Sequence, residues 1–182
     1  GCNLWSGLEK DRATAVCNFC DTEFRGTDGP GGGHFETASA VASAVLTTWK
    51  GGAGGRPLVV CTGGEPLLQL DNDLIGEFHR SDFEIAVETN GTVEVPKGLD
   101  WICVSPKHGS TLVVKRGQEL KLVYPQPGLQ PDQFESLHFD HFFLQPMDGV
   151  SKKENTAQAI EYCLSHPQWR LSLQTHKIVG IR

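Results

Sequence analysis

The sequence has one methionine and two tyrosines among 182 residues, and no apolar run long enough to cross a bilayer. Its start does not read as a signal sequence. It also lacks an excess of positive charge. Lys and Arg number 16 against 22 Asp and Glu, a net charge of −6, which argues against a general nucleic-acid or membrane-surface binder. Six cysteines fall well short of the density of a small disulfide scaffold, and the chain is long enough to bury a core without covalent staples. Free thiols in that number fit a reducing cytoplasm. No internal repeat or interdomain linker is visible, so the expectation is a single domain over residues 1–182.

What the chain does have is a cysteine triplet at its start. Cys2, Cys17 and Cys20 stand as C-x14-C-x2-C, followed at once by Asp21 and Thr22. Three thiolates can hold three irons of a [4Fe–4S] cluster and leave the fourth open to a small molecule, whereas zinc and structural cluster sites normally fill all four positions. A disulfide role is disfavoured by the odd count and the close Cys-x2-Cys spacing. A Cys3His zinc site with His34 as fourth ligand is the stronger rival, and spacing alone does not decide between zinc and iron.

Downstream, short apolar runs alternate with helical patterns. Residues 26–33 are glycine-rich and read as a loop. Residues 37–50 read as a helix with Thr37 at its N-cap, and residues 71–80 and 155–164 as further helices. Strands are expected at 58–62, 84–88, 101–105, 120–123, 142–145 and 169–173. The first lacks polar alternation, which suits a parallel strand covered on both faces. The connections 89–100 and 106–118 are long enough to cross over a sheet but carry Gly91, Pro96, Gly98, Gly109 and Gly117, which suit helix poorly. The chain is therefore expected to be α/β, with mostly parallel strands outnumbering its helices.

In parallel α/β folds functional residues gather at the C-terminal ends of strands. Four strand exits carry suggestive residues: Thr62-Gly63-Gly64-Glu65-Pro66, Glu88-Thr89-Asn90-Gly91, Ser105-Pro106-Lys107 and Gln145-Pro146-Met147. Each has a structural reading beside the functional one. Gly63-Gly64 makes a tight turn, Asn90-Gly91 is a turn signal, and Ser-Pro-Lys is an ordinary step from strand to loop. Phe19 suits a core as well as an aromatic ligand. His176, after the last strand, suits a hydrogen-bonded structural histidine. Cys61, Cys103 and Cys163 read as core thiols.

The run Gly1-Cys2-Asn3-Leu4, then Cys17-Asn18-Phe19-Cys20-Asp21-Thr22, with Gly63-Gly64-Glu65-Pro66 further on, resembles the radical S-adenosylmethionine (SAM) enzymes. Within them it most resembles the 7-carboxy-7-deazaguanine synthase family, which builds the deazapurine core of queuosine precursors. The usual superfamily spacing is C-x3-C-x2-C. Here residues 3–16 fill a longer first gap, which leaves the thiols available because long loops close at little extra entropic cost. The polar middle of that insertion (Glu9, Lys10, Asp11, Arg12) reads as a solvated bulge, with docking of an electron donor as the alternative.

The resemblance implies a reduced, partial TIM-like barrel. It implies a [4Fe–4S] cluster on Cys2, Cys17 and Cys20, and SAM held by Phe19, Gly63, Gly64, Glu65, Glu88, Ser105, Lys107 and Gln145. Gly63, Gly64 and Glu65 take its amino group, Glu88 its ribose, Ser105 and Lys107 its carboxylate, and Phe19 and Gln145 its adenine. It further implies Mg²⁺ on Thr22, and a pterin substrate near Thr62, Gly64, His176 and Arg182. The implied reaction is ring contraction of 6-carboxy-5,6,7,8-tetrahydropterin to 7-carboxy-7-deazaguanine with loss of ammonia. A flavodoxin-like electron donor and a homodimer are implied as well. Family members carry an N-terminal strand ahead of the position of Gly1, which the sequence does not include. Two rivals stand beside this reading: a radical SAM activase acting on a protein partner, and a non-enzymatic zinc-binding domain. Thr22, Gln145 and His176 favour the small-molecule enzyme.

Overall fold

The structure, a computed structural model, describes residues 1–51 and 54–180. The chain divides into two compact units: Gly1–Thr89 with Val93–Ile102, and Asn90–Thr92 with Cys103–Arg182.

In the first unit, α1 (Ala38–Thr48) begins where the sequence predicts. The Thr37 hydroxyl accepts from the Ala40 N–H at 3.1 Å and satisfies one of the donors left free at a helix start. Asp71 does the same for α2 (Asn72–Arg80), accepting from the Leu74 N–H at 2.9 Å. Strands β1 (Leu58–Cys61) and β2 (Glu84–Thr89) pair in parallel, Leu58 opposite Glu84 through Cys61 opposite Val87. Ile75 and Phe78 of α2, Ile85 and Val87 of β2, and Ala42, Leu67, Leu70 and Phe83 form the core. Phe78 and Phe83 meet edge to face at 5.6 Å.

The expectation of a first strand covered on both faces is not met. Val59 and Cys61 pack against that core, while Leu58 and Val60 are 52 % and 46 % exposed. β1 is an end strand, so its unbroken apolar run hides a one-sided burial.

In the second unit, β4 (Arg116–Tyr124), β5 (His138–Pro146) and β6 (Trp169–Leu171) pair in parallel, with Leu122 opposite Leu144 and Phe143 opposite Arg170. The tail of β3 (Trp101–Val104) joins them, Cys103 opposite Glu119. β4 and β5 extend further toward their N-termini than the sequence suggests. Their early halves carry Arg116, Gln118, Glu119, His138, Asp140 and His141, and are held by ladder partners distant in sequence rather than by an apolar pattern. Leu120, Leu122, Leu144 and Trp169 are fully buried, and the Trp169 indole N–H donates to Glu135 at 3.0 Å. α3 (Lys152–Ser165) packs on β5 and β6.

The strand order is β1-β2-β3-β4-β5-β6, with parallel registers and an unclosed sheet. Among the described residues four α-helices accompany six strands, and residues 89–100 and 106–115 run without a helix. That is the α/β class with fewer helices than strands. One helix was not foreseen: α4 (Thr175–Val179) follows β6. A helix of five residues is too short to show a period in sequence.

Candidate functional site

The cysteine-bearing segment is organised by its own insertion. The Cys17 N–H donates to the Leu4 carbonyl at 3.2 Å, closing the excursion at its base. Within it Glu9–Thr14 forms a 3-10 helix with no buried residue, so its outer surface is solvated as expected. Its inner side is not. Trp5 is 8 % exposed, stands edge-on to Phe24 at 5.5 Å, and donates its indole N–H to the Leu8 carbonyl at 3.2 Å. Arg12 lies over the Trp5 ring at 4.0 Å and donates to the carbonyls of Asn18 at 3.1 Å and Cys20 at 3.0 Å. The reading of residues 9–12 as a solvated bulge is thus corrected for Arg12, because a cation with five donors satisfies loop carbonyls that have no ladder partner.

Cys17 is buried and Cys2 and Cys20 are half-buried; none of the six cysteines is in a disulfide. Among the described residues no three His, Cys, Asp or Glu side chains form a ready-made metal site. The donor set nevertheless suits a cluster: three thiols outside any disulfide on one locally braced segment, soft ligands of the kind iron–sulfur clusters take.

That loop is docked on the glycine turn. The Glu65 N–H donates to the Gly1 carbonyl at 2.9 Å. Gly64 sits at φ +63°, and a side chain there would collide with the same carbonyl. Gly63, at φ +85°, has the Thr22 methyl as its nearest neighbour, 4.0 Å from where a Cβ would stand. The turn and the loop bearing Cys2 and Thr22 are therefore brought together. The Glu65 side chain is engaged within the first unit. It is fully buried, accepts from the Leu67 N–H at 3.1 Å and from the Thr89 hydroxyl at 2.7 Å, and caps the 3-10 turn Pro66–Leu68. Glu88, next in line, is half-buried and accepts weakly from Thr62 at 3.5 Å. Alternation along β2 sends Glu88 and Thr89 to opposite faces, so the two glutamates take different surroundings.

In the second unit Ser105 and Lys107 are joined. The Lys107 ammonium donates to the Ser105 carbonyl at 2.6 Å and to its hydroxyl at 2.7 Å. Gln145 lies at the C-terminal end of β5, in register with Val123. His176 is exposed on α4, not on a strand exit. α4 is anchored by Lys177, which donates to Asp148, and Asp148 also pairs with Lys152 at 3.1 Å. These two ammonium groups, Lys177 foremost, lower the Asp148 carboxyl from its ordinary 3.8 to about 2. Asp148 was not foreseen from sequence, since its partners lie on separate elements. Phe19 is half-buried and Thr22 exposed. Arg182 lies outside the described residues. Cys61 has its thiol pushed up to about 11 by burial, and Cys163 is raised for the same reason. With Cys103 buried, these three behave as packing residues.

No protein-family profile matches the chain. Individual proteins do. The 7-carboxy-7-deazaguanine synthase of Caulobacter vibrioides is 60 % identical over 181 residues, covering 100 % of this chain and 86 % of that protein. Those of Bordetella pertussis and Bacteroides thetaiotaomicron are 58 % and 37 % identical over the whole chain. The crystal structure of QueE from Escherichia coli superposes with a TM-score of 0.54 at 26 % identity, covering 75 % of this chain and 63 % of that one. With identity this high across its full length, the chain belongs to the 7-carboxy-7-deazaguanine synthase family of enzymes.

Proposed function

We propose that this chain is a radical SAM enzyme that contracts the ring of 6-carboxy-5,6,7,8-tetrahydropterin to 7-carboxy-7-deazaguanine and releases ammonia. The observation that carries the reading is the docking of the three-thiol loop on the Gly63-Gly64 turn through the Gly1 carbonyl. Cys2, Cys17 and Cys20 would hold a [4Fe–4S] cluster, which when bound supplies an open iron and the electron that cleaves SAM.

The chain's own groups do the binding and orienting. Gly63 leaves its backbone uncovered for an ammonium group. The buried Glu65 carboxylate fixes the turn from behind through Thr89 and the Leu67 N–H, so contact with SAM at Glu65 falls to its backbone. Glu88, with Thr62 beside it, offers a carboxylate to paired hydroxyls, and Thr62 and Gly64 border the place for the pterin. Because Lys107 donates to the Ser105 hydroxyl oxygen, that hydroxyl keeps its proton to donate to a carboxylate, and Lys107 adds positive charge. Phe19 and Gln145 offer a ring face and an amide to a purine. Thr22 presents an exposed hydroxyl, a hard oxygen of the kind Mg²⁺ takes together with waters and a substrate carboxylate. His176 and Arg182 are assigned to the pterin. A cytoplasmic homodimer served by a reductant such as flavodoxin completes the proposal.

The test is turnover of the carboxypterin with SAM, Mg²⁺ and reductant under anaerobic conditions. Appearance of the deazaguanine is expected. SAM cleavage with the pterin left intact would instead indicate a protein-directed activase.

A further inference from the structure

We infer that Arg12, on the insertion between the first two cysteines, is a positioning residue for the cluster-binding loop, locking the backbone that carries Cys17 and Cys20 and setting a fixed positive charge beside it. The proposal rests on the reading of Cys2, Cys17 and Cys20 as iron ligands.

Three sides of the Arg12 guanidinium are engaged at once. One terminal nitrogen donates to the carbonyls of both Asn18 and Cys20, at 3.1 and 3.0 Å. Its Nε donates to both carboxylate oxygens of Glu9, at 2.9 and 2.8 Å. Its face lies 4.0 Å from the centre of the Trp5 ring. Trp5 is in turn seated by Phe24 and by its own bond to Leu8, and the Ser6 hydroxyl ties the insertion to Asp11 at 2.6 Å. The insertion is thus a braced platform, and Arg12 is the group that reaches from it to the cysteines. The Asn18 carbonyl lies between the second and third cysteines and the Cys20 carbonyl is the third cysteine's own, so holding both braces the backbone from which Cys17 and Cys20 present their sulfur.

Arginine suits the position better than lysine. A planar fork can stack on an aromatic ring while donating along two directions, whereas a lysine ammonium carries the charge without that geometry. Groups that orient metal ligands from behind typically change metal affinity 10- to 100-fold when removed. The guanidinium also balances the Glu9 carboxylate, so its removal leaves an unopposed negative charge near the loop, which disfavours the more negative, reduced state of a cluster.

The test uses the full chain in two forms. In apoprotein kept reduced, alkylation by iodoacetamide is followed cysteine by cysteine by mass spectrometry, in the unaltered chain and in Arg12→Ala and Arg12→Lys. Several-fold faster labelling of Cys17 and Cys20 in both variants is expected, with Cys61 and Cys103 unchanged. In anaerobically reconstituted protein, iron loss to a chelator should speed up by roughly tenfold in both variants. The cluster's midpoint potential should move negative in Arg12→Ala and stay nearer the original in Arg12→Lys, which keeps the charge. Unchanged labelling at Cys17 and Cys20 would overturn the proposal. So would an equal rise at Cys61 and Cys103, because Arg12 would then support the whole unit rather than the loop. If the unaltered chain takes up no iron, the cluster reading fails, and the alkylation arm still decides whether Arg12 holds the loop.

Discussion

Gly64 and Glu65 are adjacent and do opposite things. Gly64 combines a left-handed backbone with an absent side chain, which lets the Gly1 carbonyl approach the turn. Gly64→Ala meets both the conformational penalty and the collision, so a loss of roughly 2 kcal/mol of stability is expected in denaturant melts. A neutral result would mean that the loop does not rest on this turn. Glu65 turns inward. Removing it in Glu65→Ala strips the acceptor from the Leu67 N–H and the Thr89 hydroxyl, at an expected cost of about 2–4 kcal/mol. The same melts would show it, and a loss confined to SAM binding with unchanged stability would instead place its carboxylate on the ligand. At the remaining thiols, a pKa of about 11 leaves Cys61 almost wholly protonated at pH 8, so it should alkylate far more slowly than Cys20.

The elements differ in how they are held, and so in how readable they were. α1 and α2 begin at Thr37 and Asp71 because a side-chain oxygen there takes a free helix donor, which is local chemistry written in adjacent residues. Thr37→Ala should cost about 1 kcal/mol, measured by thermal or denaturant unfolding; no change would mean the cap is idle. By contrast α4 depends on a charge pair between Lys177 and Asp148, far apart in sequence, and the polar halves of β4 and β5 depend on partners in other strands. Nothing local marks these in the sequence. The Asp148 pair has a definite pH dependence. Its carboxyl is held near 2, below the ordinary 3.8, so its stabilisation is present in full above about pH 4–5 and is lost as pH falls toward 2. The stability gap between the unaltered chain and Asp148→Asn should be constant at neutral pH and close in acid. A gap that persists unchanged at pH 2 would remove the ion pair as its source.

At the scale of the whole molecule, the α/β class with parallel strands and few helices is legible in the spacing of apolar runs and glycines. The cysteine triplet, the glycine turn and the strand-end residues stand out in sequence as candidates because each sits at a fixed offset from a strand or from another cysteine, while family membership follows from identity over the whole of this chain to proteins of known name. What the insertion does could not be picked out, since Trp5 and Arg12 act by folding back on residues 18–24 through contacts that no periodicity encodes. The proposed chemistry requires that the three thiols hold iron. The decisive measurement is iron, sulfide and zinc analysis of protein purified without oxygen, with the visible spectrum, for the unaltered chain and for Cys2→Ala, Cys17→Ala and Cys20→Ala. The expected result is about four irons and four sulfides per chain with a broad brown absorption, lost in each variant together with SAM cleavage. One equivalent of zinc and no chromophore would contradict it.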